Sequence, residues 1–399
     1  TYAFGFRLNL IHMAIIIGGG WLLAKRIPRG RLYLYRSPIN TAMLAFLLFT
    51  LATSYVAMQP FTSFRGSIYY GVTGFLISLL LLNGKTSDRF IKNTVRIVAL
   101  LAVVVSLVGL FQLVLLTQFS VAQAASLSDP YAVAFPRISS TLGNPVILST
   151  YLLLGFPLLL CEVAHAERKS QRDFWVICTT IAFIGILLTQ TRAGLVALAV
   201  TGAIFLYKRS KPLFGAFLLG FTGLFLLLSL LAGPRYAPAT VIGELTQSWT
   251  QTATHLSQLP AQRLVIGIGT KNLTAFTSPA SPWPAEDQRL ERYIPSSMHL
   301  TLLIENGILG WFMMMWILFV TLKSLYVAHA RVKDPYLQMI LWSIFSSIVG
   351  FIVSMAAFKA FFNLSIQIMF WSLVGIGMLI ATRFTGKKNG FIRLWRFGD

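Results

Sequence analysis

Long apolar runs separated by short polar connections recur along most of the 399 residues. A helix needs about 20 mostly apolar residues to cross the hydrocarbon of a bilayer. The pattern therefore predicts eleven transmembrane helices, of which the seventh is short: residues 8–24, 39–59, 67–83, 96–118, 142–163, 174–190, 194–207, 212–232, 300–322, 336–358 and 360–380. We expect an all-α polytopic membrane protein in which residues 1–399 form a single transmembrane domain.

One long interruption, residues 233–299, separates the eighth predicted span from the ninth. Within residues 240–259, apolar side chains recur at helical spacing among Thr, Gln and Ser: Val241, Leu245, Trp249, Ala253 and Leu256. This pattern predicts an amphipathic helix at the membrane interface, ended by Pro260. Because long loops in compact proteins usually carry function, we look for candidate chemistry beside this loop.

Composition agrees with the membrane assignment, because 56% of residues are hydrophobic, 11% are charged and the mean hydropathy is +0.72. A net charge of +21 would suggest nucleic-acid binding in a soluble domain, but 23 of the 33 Lys and Arg fall on alternate connections. The positive-inside rule makes that side cytoplasmic and puts residues 233–299 outside. We therefore expect membrane lipids and no nucleic acid as partners.

Cys161 and Cys178 lie near the cytoplasmic ends of their spans, so no disulfide is expected.

The same topology puts residue 1 outside and the C-terminus inside, with an odd number of spans. We therefore expect one further span before residue 1, giving twelve in the intact protein with both termini in the cytoplasm.

The sequence lacks the motifs of several common types of enzyme and metal site. There is no Cys/His cluster or HExxH motif for zinc, no Walker A sequence and no GxSxG elbow. The few acidic residues predicted to lie outside show no paired-aspartate signature for a divalent metal. Without a metal site, basic side chains would have to bind any anionic substrate. This favours a phosphorylated substrate at the outer leaflet, bound by arginine and lysine with no metal or other cofactor.

Arg192 follows Thr189, Gln190 and Thr191, and together these polar residues interrupt an apolar stretch. The interruption predicts a tight hairpin between the sixth and seventh spans. An arginine at membrane depth costs at least about 2.5 kcal/mol, so it normally faces a cavity or a partner. Arg192 is therefore either a binding residue or a loop arginine whose side chain reaches the interface.

His299 begins the ninth predicted span, with Leu302 and Leu303 one turn further along. A neutral imidazole can take a proton near pH 7, which suits a general base acting on a hydroxyl group. A helix cap or an interfacial residue explains the same position. Glu305 and Asn306 follow on this helix, although Glu305 lies roughly 120° around it from His299.

Two loops offer further candidates for anion binding. Gly143-Asn144-Pro145 can begin a helix with Asn144 as the N-cap and Pro145 in the first turn. The exposed backbone N–H groups of such a helix end can bind an anion. Ordinary capping explains the same three residues. The segment RLVIGIGTKNL carries Arg263 and Lys271 on either side of a Gly-x-Gly turn. It lacks the third glycine of a dinucleotide-binding fingerprint.

Four stretches in this order resemble the O-antigen ligase and Wzy-type polymerase superfamily of bacterial membrane proteins: TLGNPVILSTYLLLGFPLLL, TQTRAGLVALAV, GIGTKNL and HLTLLIENGILG. They lie between about residues 139 and 320, and the long loop stands where the family has one. The resemblance implies a metal-independent, inverting glycosyltransferase of the GT-C type, acting at the periplasmic face of the bacterial inner membrane.

Members of the family transfer a glycan from undecaprenyl pyrophosphate to a hydroxyl group. The acceptor is lipid A core in ligases, another repeat unit in polymerases and a protein side chain in the related oligosaccharyltransferases. By this resemblance His299 corresponds to the histidine that orients or deprotonates the acceptor, and Arg192 to the arginine that holds the pyrophosphate. A membrane transporter remains the alternative from another class.

The sequence departs from the family pattern at three places. Leu300 and Val146 stand where the family often has asparagine. The family also has an arginine a few residues before a loop tryptophan, whereas the residues before Trp249 include none. The candidates for this second cation are Arg235, Arg263 and Lys271.

Overall fold

The structure is a computed structural model, and it describes residues 2–3, 6–7, 31–35, 37–82, 87–119, 137–231, 243, 246–247, 249–250, 253–254, 256–257, 259–273, 297–384 and 391–396. Within these residues, eight helices are long and apolar enough to cross a membrane. The chain is a helical, multi-pass membrane protein, as its apolar runs predict.

Among the described residues, twelve α-helices have defined bounds: α1 Pro38–Tyr55, α2 Pro60–Ser67, α3 Thr73–Leu82, α4 Asp88–Phe119, α5 Pro145–His165, α6 Lys169–Leu188, α7 Arg192–Arg209, α8 Lys211–Leu231, α9 Ala261–Ile266, α10 Met298–Arg331, α11 Pro335–Ala357 and α12 Leu364–Phe384. A π-helical segment, Ile68–Val72, joins α2 to α3, and short 3₁₀ turns occur at Ser140–Leu142 and Ala360–Phe362. Two short antiparallel strand pairs complete the described structure: β1 Tyr2–Ala3 with β2 Phe6–Arg7, and β3 Arg31–Tyr35 with β4 Phe391–Arg396.

Local sequence signals account for where several helices begin. Helices α1, α2, α5 and α11 each have proline in the first turn, where its missing N–H costs nothing. Asn144 caps α5 by accepting a hydrogen bond from the Val146 amide at 2.8 Å. Asp334 caps α11 in the same way, through the amides of Tyr336 and Leu337.

The chain forms two compact units, and α5 lies at the centre of the unit formed by residues 87–250 and 333–369. It packs against α4, α6, α7 and α11, and most of its side chains are buried. Small residues allow close approach between helices: a Cβ on Gly350 of α11 would lie 1.7 Å from Thr201 Oγ1 of α7. Interhelical hydrogen bonds add to this packing, as where Ser347 Oγ donates to the Leu154 carbonyl at 2.9 Å.

The other unit comprises residues 1–86, 251–332 and 370–399. Here α1 packs against α2, α3 and α10, and the short helix α9 packs against α10. Gly74 of α3 leaves room for the Trp371 indole of α12, since a Cβ at this glycine would lie 2.2 Å from Nε1. The Ser78 hydroxyl donates to the Trp371 carbonyl at 3.4 Å.

Not every predicted span is found among the eight. The first, residues 8–24, lies outside the described residues. The seventh and eighth correspond to α7 and α8, which are helical but are not among the eight long apolar helices. In the predicted amphipathic segment the described positions from Gly243 to Ser257 are helical, including Trp249, and Pro260 follows them; Val241 and Leu245 lie outside the described residues.

Candidate functional site

Helix α10 is broken at Gly307, whose φ of 68° and ψ of −178° are not helical. The break leaves a short arm, residues 298–306, before a long helix, residues 308–331. At 1.5 Å per residue the long part measures about 36 Å, enough to cross a membrane without the arm. The sequence predicted a span over residues 300–322, which lies within Met298–Arg331, one of the eight long apolar helices; the break at Gly307 was not predicted. Glycine allows the break because φ is positive there.

A glycine-rich turn, residues 267–273, packs directly against this break. The amide of Ile268 donates to the Ile304 carbonyl at 3.0 Å, and the amide of Gly269 donates to the Glu305 carbonyl at 2.8 Å. The turn therefore supplies hydrogen-bond donors to the carbonyls at the end of the short arm. A Cβ on Gly267, whose φ is 80°, would lie 2.2 Å from the Glu305 carbonyl oxygen, so only glycine fits.

Buried polar side chains tie the turn to the neighbouring helices. Asn306 Nδ2 donates to Thr270 Oγ1 at 2.9 Å, and Ser67 Oγ donates to the same oxygen at 3.4 Å. Ser67 is also within hydrogen-bond distance of Ser54, whose hydroxyl lies 3.0 Å from that of Ser63. This chain of five side chains links α1, α2, the turn and α10, and it fixes where the turn holds Lys271.

Lys271 lies over two tyrosines of the π-helical segment. Its Nζ is 4.8 Å from the ring centroids of both Tyr69 and Tyr70. Partial burial lowers the pKa of Lys271; the Glu305 carboxylate opposes this shift, and the Arg65 guanidinium adds to it. Single-turn π-helical segments occur often at functional sites, and this one presents two adjacent aromatic rings to one cation.

Glu305 and Arg263, two further predicted site residues, are also held at the turn. Glu305 is buried, and its Oε1 accepts a hydrogen bond from the Leu273 amide at 3.3 Å. Arg263 donates from its guanidinium to the Val56 carbonyl, while its own carbonyl accepts from the Gly267 amide at 2.7 Å. The structure thus brings Arg263, Lys271 and Glu305 to one place in this unit.

His299 is the second residue of the short arm and is half-buried. Trp311, beyond the break, donates its indole N–H to His299 Nδ1 at 3.4 Å, and the two ring centroids are 6.5 Å apart. The hydrogen bond restricts the rotation of the imidazole ring. Sequence reasoning missed Trp311, because the contact depends on the bend at Gly307.

Arg192 belongs to the other unit, where it is the first residue of α7 and is half-buried. The predicted hairpin is present, because only Thr189, Gln190 and Thr191 connect α6 to α7. The hydroxyls of the two buried threonines lie 3.1 Å apart, and Gln190 adopts a positive φ of 51°. A non-glycine residue with this conformation is uncommon and marks a tightly constrained turn.

The N-terminal turns of α5 and α7 meet beside this hairpin. A Cβ on Gly194 would lie 2.8 Å from Ser149 Oγ and 2.3 Å from Thr191 Oγ1, so glycine permits the close contact. Asn144 caps α5 at this same end. Two helix N-termini, each with a partial positive charge, therefore lie together with Arg192.

Arg137 was not among the residues that the sequence indicated, yet it reaches the Arg192 hairpin. Its Nε donates to the Thr189 carbonyl at 3.0 Å, and the next amide, that of Ile138, donates to the Leu188 carbonyl at 3.3 Å. No sequence signal joins Arg137 to a carbonyl 52 residues away.

The remaining findings concern the predicted binding residue Arg235, metal binding and similarity to known proteins. Arg235, a predicted binding residue, lies outside the described residues. Within the described ranges, no group of three or more His, Cys, Asp or Glu side chains is arranged to hold a metal ion. Comparison with protein-family models and with curated protein sequences finds no match to the chain.

Proposed function

We propose that the chain is a membrane glycosyltransferase. It transfers a glycan from undecaprenyl pyrophosphate to a hydroxyl acceptor at the periplasmic face of the bacterial inner membrane, as O-antigen ligases do. The reaction is metal-independent and inverting, and the architecture is of the GT-C type with eleven spans in this chain. Polymerization of a polysaccharide and O-glycosylation of a protein are variants of the same reaction with other acceptors.

One observation carries the proposal: Arg192 begins α7 where two helix N-termini meet in a constrained hairpin. Backbone N–H groups at helix N-termini and an arginine fork together favour a phosphate-bearing group. In the transfer, the bond between the sugar C1 and the pyrophosphate oxygen breaks and negative charge develops on the leaving group. Groups already fixed beside that oxygen stabilise the transition state more than the ground state.

We propose that His299 acts on the acceptor. It lies in the short arm of α10, which directly follows the long loop in the chain, and a hydrogen bond from Trp311 fixes its imidazole. The long loop would hold the acceptor. The acceptor hydroxyl forms a bond to the sugar C1 from the face opposite the pyrophosphate, and its proton passes to water as that bond forms. An imidazole within hydrogen-bond reach of the hydroxyl would orient the attacking oxygen.

A transporter is the second candidate, and the break at Gly307 is the observation that favours it, since transporters use discontinuous helices. Transporter breaks lie near the middle of the bilayer. The part of α10 beyond Gly307 is long enough to span the membrane alone, which supports a break at one end of the span. This favours the enzyme.

The test compares source cells that carry wild type, His299→Ala or Arg192→Ala at matched membrane levels. Mass spectrometry measures undecaprenyl-pyrophosphate-linked glycans and the mature glycan products. We expect both variants to accumulate the donor and lose one product, whose structure identifies the acceptor. Purified His299→Ala should bind the donor normally, whereas Arg192→Ala should bind it more weakly. Unchanged glycan pools in both variants would rule out the transferase.

A further inference from the structure

We infer that the end of the α5 unit opposite Asn144 binds the phosphate headgroup of an anionic phospholipid. The first turns of α4, the last turn of α5 and the first turn of α11 form this headgroup site, and Lys92 and Arg96 of α4 are its cations. The inference goes beyond the proposed transferase and does not depend on it.

Arg96 is held in place by a carboxylate inside the unit. Its Nε donates to Glu162 Oε2 at 3.0 Å, and the Tyr336 hydroxyl of α11 donates to Oε1 of the same glutamate. The Glu162 side chain is 2% exposed, whereas the Arg96 side chain is 49% exposed. Nε is one of the five N–H donors of a guanidinium. The bond to Glu162 therefore orients a cation whose exposed part can bind a phosphate.

Lys92 lies one turn before Arg96 on the same face of α4. Its Nζ is 4.9 Å from the ring centroid of Tyr336, whose hydroxyl binds Glu162. Tyr336 is buried, so its ring gives Lys92 a fixed neighbour. This contact is with an aromatic ring and not with a carboxylate. Two cations and one carboxylate therefore meet at the headgroup site, with a formal net charge of +1.

The surrounding charges also favour an anion. Ten Lys and Arg and five Asp and Glu lie at this end of the unit, within residues 88–96, 162–173, 208–211 and 333–336. Of the five acidic residues, Glu162 is paired with Arg96, and Asp334 caps α11. The excess of basic residues raises the local concentration of an anionic ligand.

The length of α4 places the two cations at headgroup level. Its 32 residues measure about 48 Å, which is about 18 Å more than the hydrocarbon thickness. The charged residues of α4 all lie between Asp88 and Arg96, so this end is the one that extends into the headgroup region.

An apolar stripe on α4 begins directly after Arg96. Ile97, Leu101 and Val104 are exposed large apolar side chains at helical spacing. Acyl chains of a phospholipid can lie beside this stripe while its phosphate lies at the cations. Basic clusters at the ends of membrane helices bind lipid headgroups in this way. The combination favours a phospholipid over a free phosphate ion.

The alternative role for Lys92 is purely structural, because its contact with Tyr336 joins α4 to α11. A structural contact would stabilise the lipid-free protein and would give no preference between lipid headgroups. The preference for an anionic headgroup therefore separates the two roles.

The experiment uses the full chain, purified in detergent and delipidated. Native mass spectrometry measures the binding of phosphatidylglycerol and of phosphatidylethanolamine with the same acyl chains. Lys92→Gln removes the charge and Lys92→Arg keeps it, and both leave the pair of Arg96 and Glu162 in place. Lys208→Gln is the matched control, because Lys208 is an exposed lysine at the same end of the unit.

We expect wild type to prefer phosphatidylglycerol, and Lys92→Gln to reduce this preference about five-fold, as for one basic residue at a lipid phosphate. Lys92→Arg and Lys208→Gln should keep the wild-type preference. Equal binding of the two lipids by wild type would overturn the inference. Equal losses in Lys92→Gln and Lys208→Gln would also overturn it, because only net charge would then matter.

Inorganic phosphate distinguishes the lipid from a free anion. The melting temperature of the delipidated protein should rise with phosphatidylglycerol, but no more with inorganic phosphate than with chloride at the same ionic strength. A rise with inorganic phosphate that Lys92→Gln abolishes would mean that the phospholipid is the wrong occupant. These measurements use no glycan donor, so they leave the proposed transferase untouched.

Discussion

Trp311 donates its indole N–H to Nδ1 of His299 across twelve residues of chain. In a straight helix these residues would be about 18 Å apart along the axis, so the bend at Gly307 makes the contact possible. Because Nδ1 accepts this hydrogen bond, the neutral ring carries its proton on Nε2. His299 then presents an N–H donor, which suits orientation of the acceptor oxygen rather than removal of its proton.

The role of His299 can be tested with two amides of different reach. The side-chain amide nitrogen of His299→Gln can occupy the position of Nε2, whereas that of His299→Asn corresponds to Nδ1. If the imidazole orients the acceptor through Nε2–H, the glutamine variant should retain measurable transfer, and the asparagine and alanine variants should lose about 100-fold or more. Initial rates with a fixed donor and acceptor give the comparison.

Trp311→Phe provides the companion measurement, because it removes the indole N–H but keeps an aromatic ring. We expect the transfer rate to fall about ten-fold, while Trp316→Phe on the same helix leaves it unchanged. If His299→Gln is as inactive as His299→Ala, the histidine acts as the base and the orienting role is wrong.

The apolar runs predicted the helices well where a proline and a capping residue mark the start. Helix α5 begins at Pro145 after Asn144, close to the predicted residue 142, and α11 begins at Pro335, one residue before the predicted start. The break at Gly307 was not predictable, because glycine is common inside membrane helices and residues 300–322 are mostly apolar, with Glu305 and Asn306 as the polar residues just before the glycine. Its cause is the packing of a turn that lies far away in sequence.

The sequence indicated individual residues of the candidate site, but it did not indicate which of them lie close together. Lys271 and Glu305 were identified separately from the sequence, but their shared position depends on hydrogen bonds between the turn and the broken helix. The π-helical segment under Lys271 has no sequence signature. Arg137 was missed because its partner, the Thr189 carbonyl, is a backbone atom, and any residue at that position would have supplied it.

The two glycines where the turn meets the broken helix should tolerate no side chain. In Gly307→Ala the new Cβ would lie 2.2 Å from the Val265 carbonyl oxygen, at a φ of 68°. We expect this variant and Gly267→Ala to lower the free energy of unfolding by about 2–4 kcal/mol each, from overpacking and backbone strain. Thermal unfolding in detergent provides the measurement.

Gly223→Ala in α8 is the matched control, because nothing lies within 4 Å of a Cβ built there. Alanine is the better helix former, so this variant should be neutral or slightly more stable. Wild-type stability in Gly307→Ala would mean that the turn and the helix do not pack as described.

Lys271 should make stability depend on pH in the alkaline range. Partial burial lowers the pKa of Lys271 in the folded chain, whereas in the unfolded chain it is near 10.4. Between these two values the unfolded chain holds the proton and the folded chain does not, so the free energy of unfolding rises with pH. Lys271→Met should remove this rise.

The measurement is the melting temperature at several pH values, from about 8 to 10.5, which covers the range of lysine titration. Lys333→Met replaces an exposed lysine of the other unit and should follow the wild-type curve. If Lys271→Met also follows the wild-type curve over the whole range, Lys271 is not buried against the tyrosines.

An ion pair at the opposite end of α5 from Asn144 should contribute to stability and not to transfer. Arg96 Nε donates to Glu162 Oε2 at 3.0 Å; the glutamate is buried with a 2% exposed side chain, while the arginine is 49% exposed. The Tyr336 hydroxyl also donates to Glu162, at Oε1. Removing the arginine leaves a buried carboxylate with one fewer partner. Arg96→Leu should therefore cost about 1–3 kcal/mol, less than for a fully buried pair, because water reaches the arginine.

Glu162→Gln should cost less than Arg96→Leu, because the neutral amide oxygen can still accept from Tyr336 and leaves no buried charge. In the double variant the carboxylate is gone, so the loss of Arg96 should matter much less and the two effects should not add. Thermal unfolding of the four proteins gives this coupling, with Arg89→Leu as a control for loss of a surface arginine. If the losses of unfolding free energy in the two single variants simply add in the double variant, the interaction between Arg96 and Glu162 contributes nothing to stability. Transfer activity should follow the amount of folded protein in every variant, since neither residue belongs to the proposed site.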